Sequence, residues 1–324
     1  MVDSGDLFHN LVTLREEIRP QVQARADSYL AIFESMAHAA QGIGDRDLAL
    51  GLERLRELSS RANFPFLNAN IVDATSGTPV FQERVIVERA GVKIGLFGLL
   101  TPEYRLREQQ EKRDGFRVLD PIVVAKEQAV RLREEGAEVL VVLSHLTLDE
   151  SAKLAEAVPG ITAILGSQSQ QMKRYPHAVE TTYIADAYIK GKYLSVLTLF
   201  VRPDESKFVF VDPSRKSSVE TRIREIEMRI GAREKAIAAA KEAEKDSPKA
   251  RGTAWLARNL ETSRAELATL QTELAGLGDV NITDSSFVAY DLPPMAKTVD
   301  DKGEVIAKLD KLKAEFPALA KPGK

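Results

Sequence analysis

Short apolar runs alternate with segments of helical periodicity over the first two hundred residues of this chain. This alternation is typical of a layered α/β domain, because each apolar strand has to be covered by helices. Helices are predicted over residues 21–39, 47–62, 121–135 and 148–157, and strands over 66–71, 80–88, 92–100, 138–144, 161–165, 181–187, 193–201 and 207–211. Pro121 suits a first helical turn and Gly136 suits a helix end. We therefore expect an α/β core over residues 1–216.

Composition excludes several classes of partner. The chain has 324 residues, of which 44% are hydrophobic and 29% charged, so it can form one large domain with an appendage. Its net charge of −3 argues against a nucleic-acid or membrane-surface binder, since such proteins need a basic excess. No apolar run is long enough to span a membrane. Because cysteine is absent, disulfides and thiolate metal sites are excluded. We expect no nucleic-acid partner and no membrane span.

Residues 217–276 have a different pattern, with isoleucine and leucine at helical spacing among Ala, Glu, Lys and Arg. The apolar positions are Ile223, Ile226, Ile230 and Ile237 in the first half, and Leu256, Leu260, Leu267, Leu270 and Leu274 in the second. Ser247 and Pro248 suit the start of a second helix. The pattern predicts an antiparallel α-helical hairpin with arms of roughly 40 Å. We expect Trp255 to pack between the two arms.

Strand-like segments at 208–211 and 286–290 flank this hairpin, so we interpret it as an insertion between two paired strands. Residues 277–324 then supply the returning strand, one amphipathic helix and a polar tail. The arm is expected to contact a protein partner or a second copy of the chain. The alternative is a solvent-exposed spacer without a partner, since ion pairs along a helix can support it.

Several sequence blocks occur in a fixed order. They are V-D-S-G-D at residues 2–6, G-D-R-D-L-A-L-G at 44–51, A-N-F-P-F-L-N-A-N at 62–70, G-V-K-I-G-L-F-G-L-L-T-P at 91–102 and V-V-L-S-H at 141–145. Together they resemble the calcineurin-like metallophosphoesterases, specifically the 5'-nucleotidase branch, over roughly residues 1–200. The resemblance implies an α/β fold of two sheets packed face to face, with helices outside.

The same resemblance implies a two-metal centre of zinc, manganese or iron in intact family members, where two cations activate water and bind phosphoryl oxygens. This chain matches the ligand pattern only at Asp6, at His145, and at Asp45 in place of the family asparagine. Gln168 and Gln170 occupy the positions of two histidines, and an amide lacks the imidazole nitrogen that holds such metals. We expect either no metal or a single weakly held divalent ion.

Arg46 replaces the family histidine that assists the leaving group, and arginine cannot donate a proton near neutral pH. One hypothesis is that its guanidinium fills the former metal cavity and offsets the charge of Asp6, Asp45 and Asp47. Other interpretations stay open. Asp6 suits a turn and His145 a structural histidine, while Asp45 and Asp47 suit caps of the predicted 47–62 helix, which we prefer to metal binding.

In the family, a strand with an Asp-x-His pair precedes the D-x-G-D block, whereas this chain starts almost at Asp3. We expect an upstream segment to carry that strand and an export signal, which favours a periplasmic location over a cytoplasmic one. Two functions follow from the pattern. The first is a degenerate phosphoesterase domain that acts as a scaffold or binding module. The second is an active metal-dependent phosphohydrolase of nucleotides or other phosphomonoesters, with ligands from the missing segment.

Overall fold

The computed structural model describes residues 1–166, 176–187, 192–201, 215–244, 253–277, 286–293, 295 and 303–316. The chain divides into two compact units. The first contains Met1–Leu197 and Tyr290–Lys324, and the second contains Thr198–Ala289.

The first unit contains most of the strands. They are β1 (Val2–Asp3), β2 (Ala40–Gly42), β3 (Phe66–Leu67), β4 (Ile71–Asp73), β5 (Arg84–Arg89), β6 (Val92–Leu100), β7 (Phe116–Val118), β8 (Val139–His145), β9 (Ala163–Leu165), β10 (His177–Val179) and β11 (Thr182–Ala185). Strands β12 (Val196–Phe200) and β13 (Phe287–Asp291) pair with each other. The helices are α1 (Arg19–Ser35), α2 (Leu52–Arg61), α3 (Arg107–Asp114), α4 (Pro121–Glu134), α5 (Leu148–Ala157), α6 (Arg215–Glu244), α7 (Thr253–Gly276) and α8 (Gly303–Glu315).

The largest sheet has the order β10-β11-β9-β8-β6-β5. Its inner strands β6, β8, β9 and β11 are parallel, and β5 and β10 are antiparallel edges. Every residue of β8 is buried, as expected for a parallel strand covered on both faces. A second, fully parallel sheet has the order β1-β2-β3, and β4 pairs with β7 in a short antiparallel ribbon. The predicted α/β class is confirmed, with four sheets among the described residues.

Among the described residues of the first unit, two large apolar clusters are found. One contains Phe8, Phe64 and Phe66, whose rings stack at centroid distances of 5.7 and 6.0 Å, together with buried residues of α1 and α2. The other covers one side of the large sheet with residues of α4 and α5, such as Leu132 and Leu154. Each fully buried side chain of this kind contributes about 1.5–3 kcal/mol of transfer free energy.

Local hydrogen bonds explain where the predicted elements break. The predicted 47–62 helix is wrong in its first part: Asp47–Leu50 forms a 3-10 turn, and α2 begins only after Gly51, whose φ is 91°. The predicted 66–71 strand is interrupted because the Asn68 side-chain oxygen accepts the N–H groups of Asn70 and Ile71, at 3.0 and 2.8 Å. Helix α3 was not predicted, and the predicted 207–211 strand lies outside the described residues.

The predicted roles of Pro121 at the start and Gly136 at the end of helix α4 are confirmed. The Asp120 carboxylate accepts the N–H groups of Ile122 and Val123 at 2.8 and 3.1 Å, directly before Pro121 in the first turn. Gly136, with a φ of 90°, follows the helix. In the same unit, α8 packs on α1, where Lys308 Nζ donates to the Ala31 carbonyl at 3.2 Å.

In the second unit, α6 and α7 pack through a small apolar cluster of Val219, Ile223, Ile226 and Leu270. Ion pairs join Arg222 to Glu266 at 2.7 Å and Arg264 to Glu234 at 2.9 Å. The prediction that Trp255 packs between the two arms is wrong. Its side chain is 68% exposed, because aliphatic side chains occupy the internal positions. The antiparallel insertion with bounds 217–276 stays a prediction, and Ser247 and Pro248 lie outside the described residues. None of the described helices is long and apolar enough to cross a membrane.

Candidate functional site

Three predicted site residues meet where parallel strands of two sheets end. Asp6 follows β1, Asp45 follows β2, and His145 is the last residue of β8. The loops after β1 and β2 touch closely, since a Cβ on Gly5 would overlap the Gly44 backbone nitrogen. Functional groups commonly collect at the carboxyl ends of parallel strands in α/β folds. The structure therefore brings together residues that are up to 139 positions apart in the sequence (145 minus 6).

The donor atoms of Asp6, Asp45 and His145 all lie within 4.8 Å of one another. His145 Nε2 is 2.9 Å from Asp45 Oδ1 and 3.5 Å from Asp6 Oδ2. Ligand bonds of about 2.0–2.2 Å in tetrahedral or octahedral geometry place donor atoms about 2.8–3.6 Å apart. The two distances from His145 Nε2 lie in this range, and carboxylate and imidazole groups are donors that bind divalent ions. Among the described residues no fourth or fifth donor joins them to complete a two-metal centre.

Arg46 lies beside Asp6. Its Nε is 3.3 Å from Asp6 Oδ2, and its backbone N–H donates to Asp6 Oδ1 at 3.0 Å. The Arg46 side chain is 42% exposed, so the guanidinium is at the mouth of the cluster rather than sealed inside it. Asp6 itself has a φ of 62°, which agrees with the turn interpretation, but its carboxylate also faces His145 and Arg46.

Asp47 and Asp45 do not cap helices, so that expectation is wrong. Neither the 3-10 turn nor α2 has a side-chain cap. Asp47 is fully buried and accepts three backbone N–H groups: those of Asp6 (2.7 Å), Gly44 (3.0 Å) and Phe8 (3.0 Å). Asp45 instead hydrogen-bonds to His145. Asp47 therefore faces the backbone amides of the two loops, and Asp45 faces the imidazole at the end of β8.

Burial and mutual charge set the protonation of the cluster. Burial raises the pKa of Asp47 to about 7, and the nearby Asp6 charge adds to the effect. Burial also raises the pKa of Asp3 and of Asp6, although His145 and Arg46 oppose the shift at Asp6. At His145 burial opposes a charge, but the hydrogen bond to Asp45 and the neighbouring carboxylates outweigh it and raise the pKa. Burial thus favours the neutral form of the buried carboxyl groups, and Arg46 and His145 lie beside them as basic groups.

Gln168 and Gln170 lie outside the described residues. Gly166, directly before this segment, has a φ of 89°, and a Cβ there would overlap the Ser4 hydroxyl. Two histidines outside the motifs are buried: His9 Nε2 is 3.0 Å from the Thr13 carbonyl, and His38 lies between aromatic rings. The sequence pattern did not indicate the hydrogen bonds that Asp47 accepts from both loops.

No protein-family model matches this chain. Curated proteins do. This chain is 28% identical over 149 residues to a 2',3'-cyclic-nucleotide 2'-phosphodiesterase/3'-nucleotidase of Salmonella typhimurium. The aligned region covers 40% of this chain and 23% of that protein. The corresponding protein of Yersinia enterocolitica is 30% identical over 186 residues, covering 51% and 28%. A 5'-nucleotidase of Vibrio vulnificus is 25% identical over 253 residues, covering 62% and 46%. The chain thus spans less than half the length of each of these relatives.

Solved structures agree on the fold. The sulfate thiohydrolase SoxB of Thermus thermophilus matches with a TM-score of 0.53 and 24% identity, over 61% of this chain and 35% of that one. The calcineurin-like phosphoesterase YfkN of Bacillus subtilis matches with a TM-score of 0.50 and 23% identity, over 63% and 72%. Over about 60% of its length, the chain is therefore a homologue of the 5'-nucleotidases and 2',3'-cyclic-nucleotide phosphodiesterases, with the calcineurin-like phosphoesterase fold.

Proposed function

We propose that this chain is a 5'-nucleotidase-like phosphoesterase domain without two-metal catalysis, and that it acts as a scaffold or binding domain. The observation that carries the proposal is the internal pairing of the acidic cluster. Asp6 contacts Arg46 at 3.3 Å, and Asp45 contacts His145 at 2.9 Å. In a two-metal centre such carboxylates face cations about 3.5–4 Å apart. Here two basic side chains of the protein supply the opposing charge.

A metal ion would have to compete with these groups. To bind at His145 it must displace a proton that Asp45 stabilises, and to bind at Asp6 it must outweigh the permanent charge of Arg46. A single weakly held ion on Asp6, Asp45 and His145 is the most that these donors accommodate. Such an ion would supply Lewis-acid polarisation of a bound oxygen. Under this proposal Arg46 orients Asp6, and His145 holds Asp45.

Metal content and hydrolysis test the proposal together. Purified chain should contain less than one equivalent of transition metal and should not hydrolyse p-nitrophenyl phosphate or bis(p-nitrophenyl) phosphate with added Mn²⁺ or Zn²⁺. Arg46→Gln should bind Mn²⁺ more tightly than wild type, because one competing charge is removed. The matched control, Arg56→Gln on the exposed side of α2, should match wild type. Two equivalents of metal, with turnover that Asp6→Asn abolishes, would contradict the proposal.

The alternative is an active phosphohydrolase of nucleotides or other phosphomonoesters. It is supported by the proximity of the three donors and by the similarity to nucleotidases and a cyclic-nucleotide phosphodiesterase. The missing ligands would come from an upstream segment, together with export to the periplasm. A chain extended upstream separates the two functions: turnover that appears only in the extended chain supports the alternative, and inactivity of both chains supports the scaffold.

We propose the helical arm of residues 217–276 as the contact surface for a protein partner or a second copy of the chain. Met228 on α6 and Trp255 on α7 are 69% and 68% exposed, and large exposed side chains of this kind are enriched in protein interfaces. Light scattering of wild type and of a Met228→Gln, Trp255→Ser variant tests the arm. A lower mass for the variant supports self-association. Equal monomer masses, with equal pull-down partners, would count against a contact role.

A further inference from the structure

Two loops carry the acidic half of the cluster. The first, residues 4–8 after β1, contains Asp6, and the second, residues 43–46 after β2, contains Asp45. The strands before them are parallel neighbours, with Asp3 opposite Gln41. The loops leave the sheet side by side and touch at Gly5 and Gly44. Because strand pairing ends at this point, other bonds must set the spacing between the loops.

Those bonds converge on one buried carboxylate. Asp47 Oδ2 accepts the N–H of Asp6 at 2.7 Å and that of Gly44 at 3.0 Å, and Asp47 Oδ1 accepts the N–H of Phe8 at 3.0 Å. A further hydrogen bond runs from the second loop to the first, because the N–H of Arg46 donates to Asp6 Oδ1 at 3.0 Å. Three hydrogen bonds therefore join the first loop to Arg46 and Asp47, and two of them end on Asp47.

We propose that Asp47 is a positioning residue, whose buried carboxylate fixes the spacing of Asp6 and Asp45 and thereby the contacts that both make with His145. The chemistry of its surroundings supports this role. Asp47 is fully buried, and its two carboxyl oxygens accept hydrogen bonds from the N–H groups of Asp6, Gly44 and Phe8. An amide would turn an NH₂ group towards one of these donors. The role does not depend on whether the cluster binds metal.

The test observes the His145 ring directly. The protein labelled with ¹³C-histidine contains four histidines, and the Cε1–H correlation of His145 is assigned by its loss in His145→Gln. Asp47→Asn should move this correlation, because Asp6 and Asp45 shift against the ring. Asp47→Glu, which keeps the carboxyl group but lengthens the side chain by one methylene, should also move it. The correlation of His177, on β10, serves as the internal reference and should stay in place.

Leu132→Ala is the matched control, because it removes a fully buried side chain from α4, away from the two loops. It should lower the melting temperature as much as Asp47→Asn or more, while leaving the His145 correlation at its wild-type position. A His145 correlation that stays in place in folded Asp47→Asn would show that Asp47 supports the fold alone. If Asp47→Asn does not fold, Asp47→Glu decides: an unchanged correlation in that variant overturns the proposal.

Discussion

Replacing His38 by leucine should flatten the loss of stability in acid. The His38 side chain is 6% exposed, and its ring lies edge-on to Phe33 and Phe64 at centroid distances of 4.8 and 4.6 Å. Gln41 and the Ala40 backbone lie near, but neither ring nitrogen has a partner in hydrogen-bond geometry. Burial therefore lowers the pKa of His38 from 6.5 to about 4.

The direction of the change in stability with pH follows from proton linkage. Between pH 6.5 and about 4 the unfolded chain binds a proton at His38 while the folded chain does not, so the free energy of unfolding falls as the pH falls. The whole interval corresponds to about 3 kcal/mol, of which about 2 kcal/mol develops between pH 7 and pH 5. His38→Leu removes this contribution and keeps an apolar side chain between the two phenylalanine rings.

Urea unfolding of the first unit at pH 7 and at pH 5, followed by near-ultraviolet circular dichroism, measures the difference. Wild type should lose about 2 kcal/mol more than His38→Leu between the two pH values. Contributions from carboxylates are common to both proteins and cancel in the comparison. His177→Gln, at an exposed position on β10, is the control and should follow wild type. Equal losses of stability in wild type and His38→Leu would show that His38 does not contribute to the pH dependence.

Three further outcomes are expected. Asp45→Asn should lower the pKa of His145, measured by titration of its ring resonances, because an amide replaces the carboxylate bonded at 2.9 Å; an unchanged pKa would contradict the pairing. Gly98→Ala should lower the free energy of unfolding, measured in urea, by about 1–3 kcal/mol or more, because the new Cβ would overlap the Leu67 carbonyl. An unchanged free energy of unfolding would show that the two backbone segments are not in contact. Trp255→Ala should change stability by less than about 0.5 kcal/mol, and wild-type emission should be quenched readily by acrylamide; blue-shifted, protected emission would show burial.

The residues of the candidate site were largely predictable, and their contacts were not. Asp6, Asp45, Arg46 and His145 stand out in the sequence because they occupy spaced motifs. The role of Asp47 depends on amides 41 and 39 positions away, so no local window of sequence contains it. The prediction of a helix cap uses only residues close in sequence. In the structure Asp47 instead accepts N–H groups of Asp6 and Phe8, which lie in the loop after β1.

The alternation of apolar strands and amphipathic helices was sufficient to determine the α/β class, because covering apolar faces is a requirement that each segment carries in its own residues. The sequence blocks likewise determined the relationship to phosphoesterases. Tertiary structure alone decided where Gly51 breaks a helix, that aliphatic side chains rather than Trp255 line the packing of α6 and α7, and that Arg46 and His145 face the carboxylates. These outcomes depend on backbone conformation, apolar packing, hydrogen bonds and charges that are set when folding brings the segments together.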